Sequence, residues 1–134
     1  MTTYEKVTYW IALSDEDLKV SGTMLDNKHY LYVGFMCHQC VEKIFKACFQ
    51  KLMSKDPPYM HDLQLLAKQS GFWDALSEEQ QQFVRTLGPL NIKTRYPDYK
   101  RTLARELTDA VCADILRQTK ELTQWTKENI LSPK

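Results

Sequence analysis

The stretch YLYVGFMCHQCVEKIFKACFQKLM, residues 30 to 53, decides the fold. Advancing about 100° per residue, Val33, Gly34, Cys37, Val41, Ile44, Phe45, Cys48 and Leu52 fall within roughly one third of a helical circumference. They predict a helix from Tyr30 to Met53 with a core-facing stripe. The opposite side carries Gln39, Glu42, Lys43, Lys46 and Gln50, preceded by Tyr32, Phe35 and Met36. That side reads as an aromatic entrance to a polar, net-positive ridge.

Upstream, Val7, Trp10, Ile11, Ser14, Leu18 and Leu25 recur at helical steps, so a first amphipathic helix is expected from Thr3 to Asp26. The polar turn Asp26-Asn27-Lys28-His29 is short enough to make the first two helices antiparallel. Downstream, Pro57-Pro58 ends the second helix, because proline interrupts backbone bonding and restricts the residue before it. A shorter helix follows from His61 to Ser70 and stops at Gly71. Ser77-Glu78-Glu79-Gln80 reads as a capping box that starts another helix, reaching Leu87 or Asn91. Arg95-Tyr96-Pro97-Asp98-Tyr99 reads as a loop, and a final helix is expected from Thr102 to Asn129 on Ala104, Leu107, Val111, Ile115, Leu122 and Trp125. No segment alternates apolar and polar residues as a strand does. The expected fold is all-α, an up-and-down antiparallel bundle of four to five helices forming a single domain over residues 1–134.

Composition restricts function more than it names one. With 43% hydrophobic and 26% charged residues in 134, the chain has the profile of an ordinary globular domain. Its 18 Lys and Arg nearly cancel 17 Asp and Glu, so any basic site must be a local patch. No signal-peptide layout and no apolar run of membrane-spanning length occur, which makes a cytoplasmic protein without a membrane partner the expectation.

Cys37-His38-Gln39-Cys40 invites a metal or redox reading. A second ligand pair is missing, the motif lies inside a helix, and both thiols belong to its core side. Buried, reduced packing cysteines are therefore expected, with no metal and no cofactor. His61 is placed to cap the third helix or to face a cleft. Lys93, Arg95, Lys100, Arg101 and Arg105 crowd the turn before the last helix, interleaved with Tyr96 and Tyr99, which suits phosphate and base contacts equally with a structural Arg95–Asp98 pair. Hydrolase motifs and phosphate-binding glycine loops are absent, and four glycines spread along the chain cannot build one.

Taken together, Trp10 with Asp15-Glu16-Asp17-Leu18, the stretch Gln39-Cys40-Val41-Glu42-Lys43-Ile44-Phe45-Lys46-Ala47, and His61-Asp62-Leu63 followed by Arg95-Tyr96-Pro97-Asp98 resemble the HEPN domain family. The resemblance spans nearly the whole chain. It implies a helical bundle, frequent homodimerisation, and frequent pairing with a minimal nucleotidyltransferase encoded nearby, in some cases as a toxin–antitoxin couple. Catalytic members are metal-independent ribonucleases with an Arg followed four to six residues later by a His. Here the histidines are His29, His38 and His61 and the first arginine is Arg85, so no Arg precedes a His. The expectation is a non-catalytic module for a nucleotide, RNA or partner chain, with Tyr32, Gln39, Glu42, Lys43, Lys46, His61, Arg95 and Tyr96 lining its site. The alternative is a toxin-like ribonuclease with a nonstandard active site built on His61 or His38 with Arg95, and a purely structural scaffold dimer is a third reading.

Overall fold

A computed structural model of the chain describes residues 1–91 and 97–133. Among the described residues there are six α-helices and no strand: α1 (Thr3–Asp26), α2 (Tyr30–Met53), α3 (Leu63–Ser70), α4 (Glu78–Leu87), α5 (Pro97–Glu106) and α6 (Asp109–Thr126). Short 3-10 turns lie at Trp73–Ala75 and Gly88–Leu90, and a π-helical turn, Lys127–Leu131, extends α6.

The helix starts follow from local chemistry. Thr2 and Ser77 each form a capping box, with Glu5 and Gln80, satisfying amides that have no intrahelical partner. Asp62 caps α3 by accepting from the Leu65 amide at 3.1 Å. His61 was expected either to cap this helix or to face a cleft; the shorter Asp62 side chain takes the cap, and His61 is left to the cleft. Gly71 closes α3 at φ 85°, a left-handed conformation that suits glycine.

The last third of the chain departs from the expected single helix. Pro97 opens α5 instead of extending a loop, because a proline in the first helical turn removes only an amide that would be unpaired there. The chain breaks at Leu107-Thr108, where the Thr108 hydroxyl accepts from the Val111 amide at 3.3 Å and starts α6. Six α-helices therefore replace the four to five expected.

Helix α2 is the axis of the molecule. Val33, Cys37, Val41, Ile44, Phe45 and Cys48 are fully buried as their spacing requires, whereas Leu52 is 45% exposed, beyond the reach of the core. Gly34 lets a neighbouring segment close in: a Cβ there would stand 3.2 Å from Leu90 Cδ1 and 3.6 Å from Leu107 Cδ1. Phe45 meets Phe72 edge to face at 4.9 Å, tying α2 to the segment after α3.

The direction of each helix can be read from its bonds to α2. Ser14 donates to the Cys40 carbonyl at 2.8 Å and Ser21 to the Val33 carbonyl at 3.1 Å, so α1 and α2 are antiparallel. Tyr30 reaches Asp109 at 3.1 Å, and Lys51 reaches the Ile130 carbonyl at 3.1 Å, so α6 runs parallel to α2. The three long helices thus form a hairpin, α1 and α2, with α6 packed beside it in the direction of α2.

Candidate functional site

The face of α2 expected to carry a polar, net-positive ridge is largely enclosed. Glu42 is 3% exposed and Lys46 6%, and Gln50 is also buried. α1 and the segment 54–62 cover them, and each charge that they bury has found a partner. Lys46 Nζ donates to Glu42 Oε2 at 3.1 Å, an i,i+4 pair on one helix face. Lys43 is paired with Asp17 of α1. Gln50 donates to Asp56 Oδ1 at 3.2 Å, and Lys6 donates to the same oxygen at 2.8 Å. Those two bonds, Lys6 first, hold the Asp56 carboxyl below the usual carboxylate range. Positive charge on this side is neutralised within the fold, so the ridge is not an open cationic surface.

What does open outward is His61. Its Nδ1 lies 2.8 Å from Glu42 Oε1. A carboxylate can only accept, so Nδ1 carries the hydrogen and Nε2 is left for a ligand. Glu42 thus holds His61 on one oxygen and Lys46 on the other, with His38 Nδ1 3.9 Å from Oε1. A carboxylate this deeply buried would be costly alone; the Lys46 ammonium and the hydrogen bond from His61 make burial tolerable. Aromatic rings finish the enclosure: Lys46 Nζ lies 5.6 Å from the Trp10 ring centroid and 5.8 Å from that of Tyr59, and Tyr59 stands edge to face with His61 at 5.6 Å. Tyr59 itself is 94% exposed.

His61 borders a cleft of about 450 Å³ between the start of α3 and the end of α4, lined also by Asp62, Gln64, Arg85, Pro89 and Asn91. Arg85 rests its guanidinium over Trp73, 5.4 Å from the ring centroid. An imidazole and a guanidinium facing a polar hollow can bind an anion.

The structure brings Glu42, Lys46 and His61 into one cluster. Lys43 belongs to the separate pair with Asp17, Gln39 is half-buried, and Tyr32 stands 53% exposed near the opposite end of α2. Arg95 and Tyr96 lie outside the described residues, as does Lys93, while Lys100, Arg101 and Arg105 are carried by α5. Arg85, Trp10 and Tyr59 were missed in the sequence. Arg85 could have been noticed as the chain's first arginine, but its place in one cleft with His61 depends on how α3 and α4 pack.

The thiols of the Cys37-x-x-Cys40 motif face α1. Cys40 Sγ is 3.3 Å from Ser14 Oγ and Cys37 Sγ 3.1 Å from Ser21 Oγ, both buried. Burial pushes the Cys40 thiol up to about 12, Cys112 up to about 11, and raises Cys37 and Cys48 as well, so none is a poised thiolate. Among the described residues no cluster of histidine, cysteine and carboxylate side chains has the makings of a metal site. No described helix is long and apolar enough to cross a membrane.

The family model of the HEPN domain matches residues 7–130, and the chain belongs to that family. No curated protein matches it. Among solved structures, the crystal structure of TT1696 from Thermus thermophilus is similar, with a TM-score of 0.76 and 19% identity over 92% of this chain and 97% of that one. At that identity the likeness speaks to the fold alone.

Proposed function

We propose that the chain is a non-catalytic binding module which receives a phosphate-bearing nucleotide at the cleft between α3 and α4. The observation that carries this reading is the presence of His61, held by buried Glu42, and Arg85 on the walls of one polar hollow of about 450 Å³. That volume suits a small ligand. In the cell the module would act in the cytoplasm as a homodimer and as one component of a two-gene system with a minimal nucleotidyltransferase, the pairing common in the family. Calorimetric titration with nucleoside triphosphates, and separately with a transferase encoded beside it, tests the proposal. Heat of binding abolished by Arg85→Ala is expected in the first titration. A folded protein that is silent in both titrations removes the reading.

A second reading, a metal-independent ribonuclease, is favoured by one feature. A half-exposed imidazole whose Nδ1–H is fixed by a buried carboxylate is the arrangement of a general base, with Nε2 available to take a proton. The arginine that precedes histidine in catalytic members is missing from this sequence, so Arg85 or Arg95 would have to supply the cation. Cleavage of structured RNA in chelator, lost in His61→Ala, would support it; cleavage retained in that variant would reject His61 as the base.

A further inference from the structure

We propose that the α3–α4 cleft binds its phosphate dianion together with a proton, His61 changing from neutral to cationic as the anion enters while Glu42 stabilises the charged ring. The inference rests on the cleft being the ligand site and adds its regulation by pH. His61 spans two environments: Nδ1 is 2.8 Å from a carboxylate that is 3% exposed, while 42% of the side chain remains open to solvent. Histidine is the side chain whose charge ordinarily changes between about pH 5 and pH 8. In neutral His61 the Nδ1–H faces Glu42 and Nε2 presents a lone pair to the cleft, which repels a phosphate oxygen. After proton uptake Nε2 carries a hydrogen and becomes a donor. No other bond changes.

The charges around the ring set the sign. From α2, Glu42 favours the imidazolium, while Lys46, 3.1 Å from the same carboxylate, opposes it and shares its charge, and the buried His38 ring lies 3.9 Å from that carboxylate. From its own segment Asp62 favours the cation, although that carboxylate is engaged with the Leu65 amide, and Tyr59 makes an edge-to-face ring contact at 5.6 Å. From α4, Arg85 opposes it until an anion is present. An incoming dianion satisfies Arg85 and removes that opposition, so anion and proton each promote the other.

Sulfate is the suitable probe, because its charge is constant over the range. Its affinity for the full chain is measured by NMR titration at about pH 6 and about pH 8, with the His61 imidazole signals assigned by comparison with His61→Gln. Expected are binding at least about tenfold weaker at the higher pH, net proton uptake accompanying sulfate binding in calorimetry, and an upward displacement of the His61 titration by saturating sulfate. His61→Gln should bind with the same affinity at both pH values; Arg85→Ala should lose affinity at both. Glu42→Gln, which keeps a hydrogen-bond acceptor but not the charge, should flatten the pH profile, and the wild-type titration decides the matter even if that variant does not fold. Equal sulfate affinity at both pH values, or a pH profile that survives in His61→Gln, overturns proton coupling and leaves the cleft as the ligand site. No sulfate binding at either pH removes both.

Discussion

Glu42 accepts from Lys46 on one oxygen and lies against His61 on the other, with 3% of its surface exposed. Removing one partner of such a group leaves the other charge buried and unpaired, which typically costs about 3–5 kcal/mol. Glu42→Ala should therefore lose about that much in urea denaturation, because Lys46 stays enclosed beneath Trp10 and Tyr59. Lys43→Ala, which opens a pair somewhat closer to the surface but leaves the Asp17 carboxylate without its cation, should lose less, about 1–2 kcal/mol. Equal losses in the two variants would contradict the enclosure of Glu42. The cysteines lead to a second expectation at this scale. Burial raises the folded Cys40 value from an ordinary 9.0 to about 12, so as pH rises the unfolded chain gives up its proton first. This contribution to stability is whole below about pH 9 and is lost as pH climbs towards about 12. The urea midpoint should fall across that window, less steeply in Cys40→Ala, and thiol reagents should label native protein only as fast as it unfolds; prompt labelling of the native state would contradict this.

At the scale of elements, the break between α5 and α6 rests on one hydroxyl. Thr108→Ala removes the acceptor for the Val111 amide and should cost about 1 kcal/mol of stability, read as a lower thermal midpoint with unchanged helix content elsewhere. An unchanged midpoint would mean that packing of Leu103, Leu107 and Cys112 alone sets the boundary. This break also marks where the sequence stopped being readable. Helices α1 and α2 start and end where the turn at Asp26–His29 and the apolar spacing put them, because both signals are local. Leu107, Val111 and Ile115 keep helical spacing across Thr108, so periodicity alone runs the two helices together, although Val111 is in fact 42% exposed. Pro97 misled in the same way, since a proline that ends one segment and a proline that opens the next look alike without their neighbours. For the site, Glu42, Lys46 and His61 were each named from side-chain chemistry, but Lys46 was expected to face a ligand and is instead paired with Glu42. The pairing of Glu42 with His61 spans 19 residues and the approach of Arg85 requires α4 to pack beside α3, neither of which a periodic pattern records. The polar ridge of α2 is covered for the same reason: small residues on α1, Ser14 and Ser21, let that helix settle closely against α2.

At the scale of the whole molecule, the hairpin of α1 and α2 is completed by α6, which lies parallel to α2 and is fastened at both ends. Tyr30 holds Asp109 at one end, and at the other Lys51 donates to the carbonyls of Ile130 and Ser132 while Lys127 reaches Asp15 at 2.6 Å. Deleting residues 127–134 removes the second fastening and the part-buried Ile130 and Leu131, and should lower stability by about 2 kcal/mol while leaving the protein folded and helical by circular dichroism. A variant as stable as the full chain would show that the π-helical turn adds nothing to the docking of α6.

Parallel neighbours cannot be joined by a tight turn, so the chain between Met53 and Asp109 must travel back along the molecule before α6 can dock. During synthesis the first two helices emerge and close on one another through contacts near in sequence, with the long face of α2 still bare. Segments around Phe72, Leu90 and Leu107 cover part of it first, but the side that α6 covers stays bare until that helix has left the ribosome tunnel, and over that interval the nascent chain offers chaperones an apolar surface that the finished protein hides.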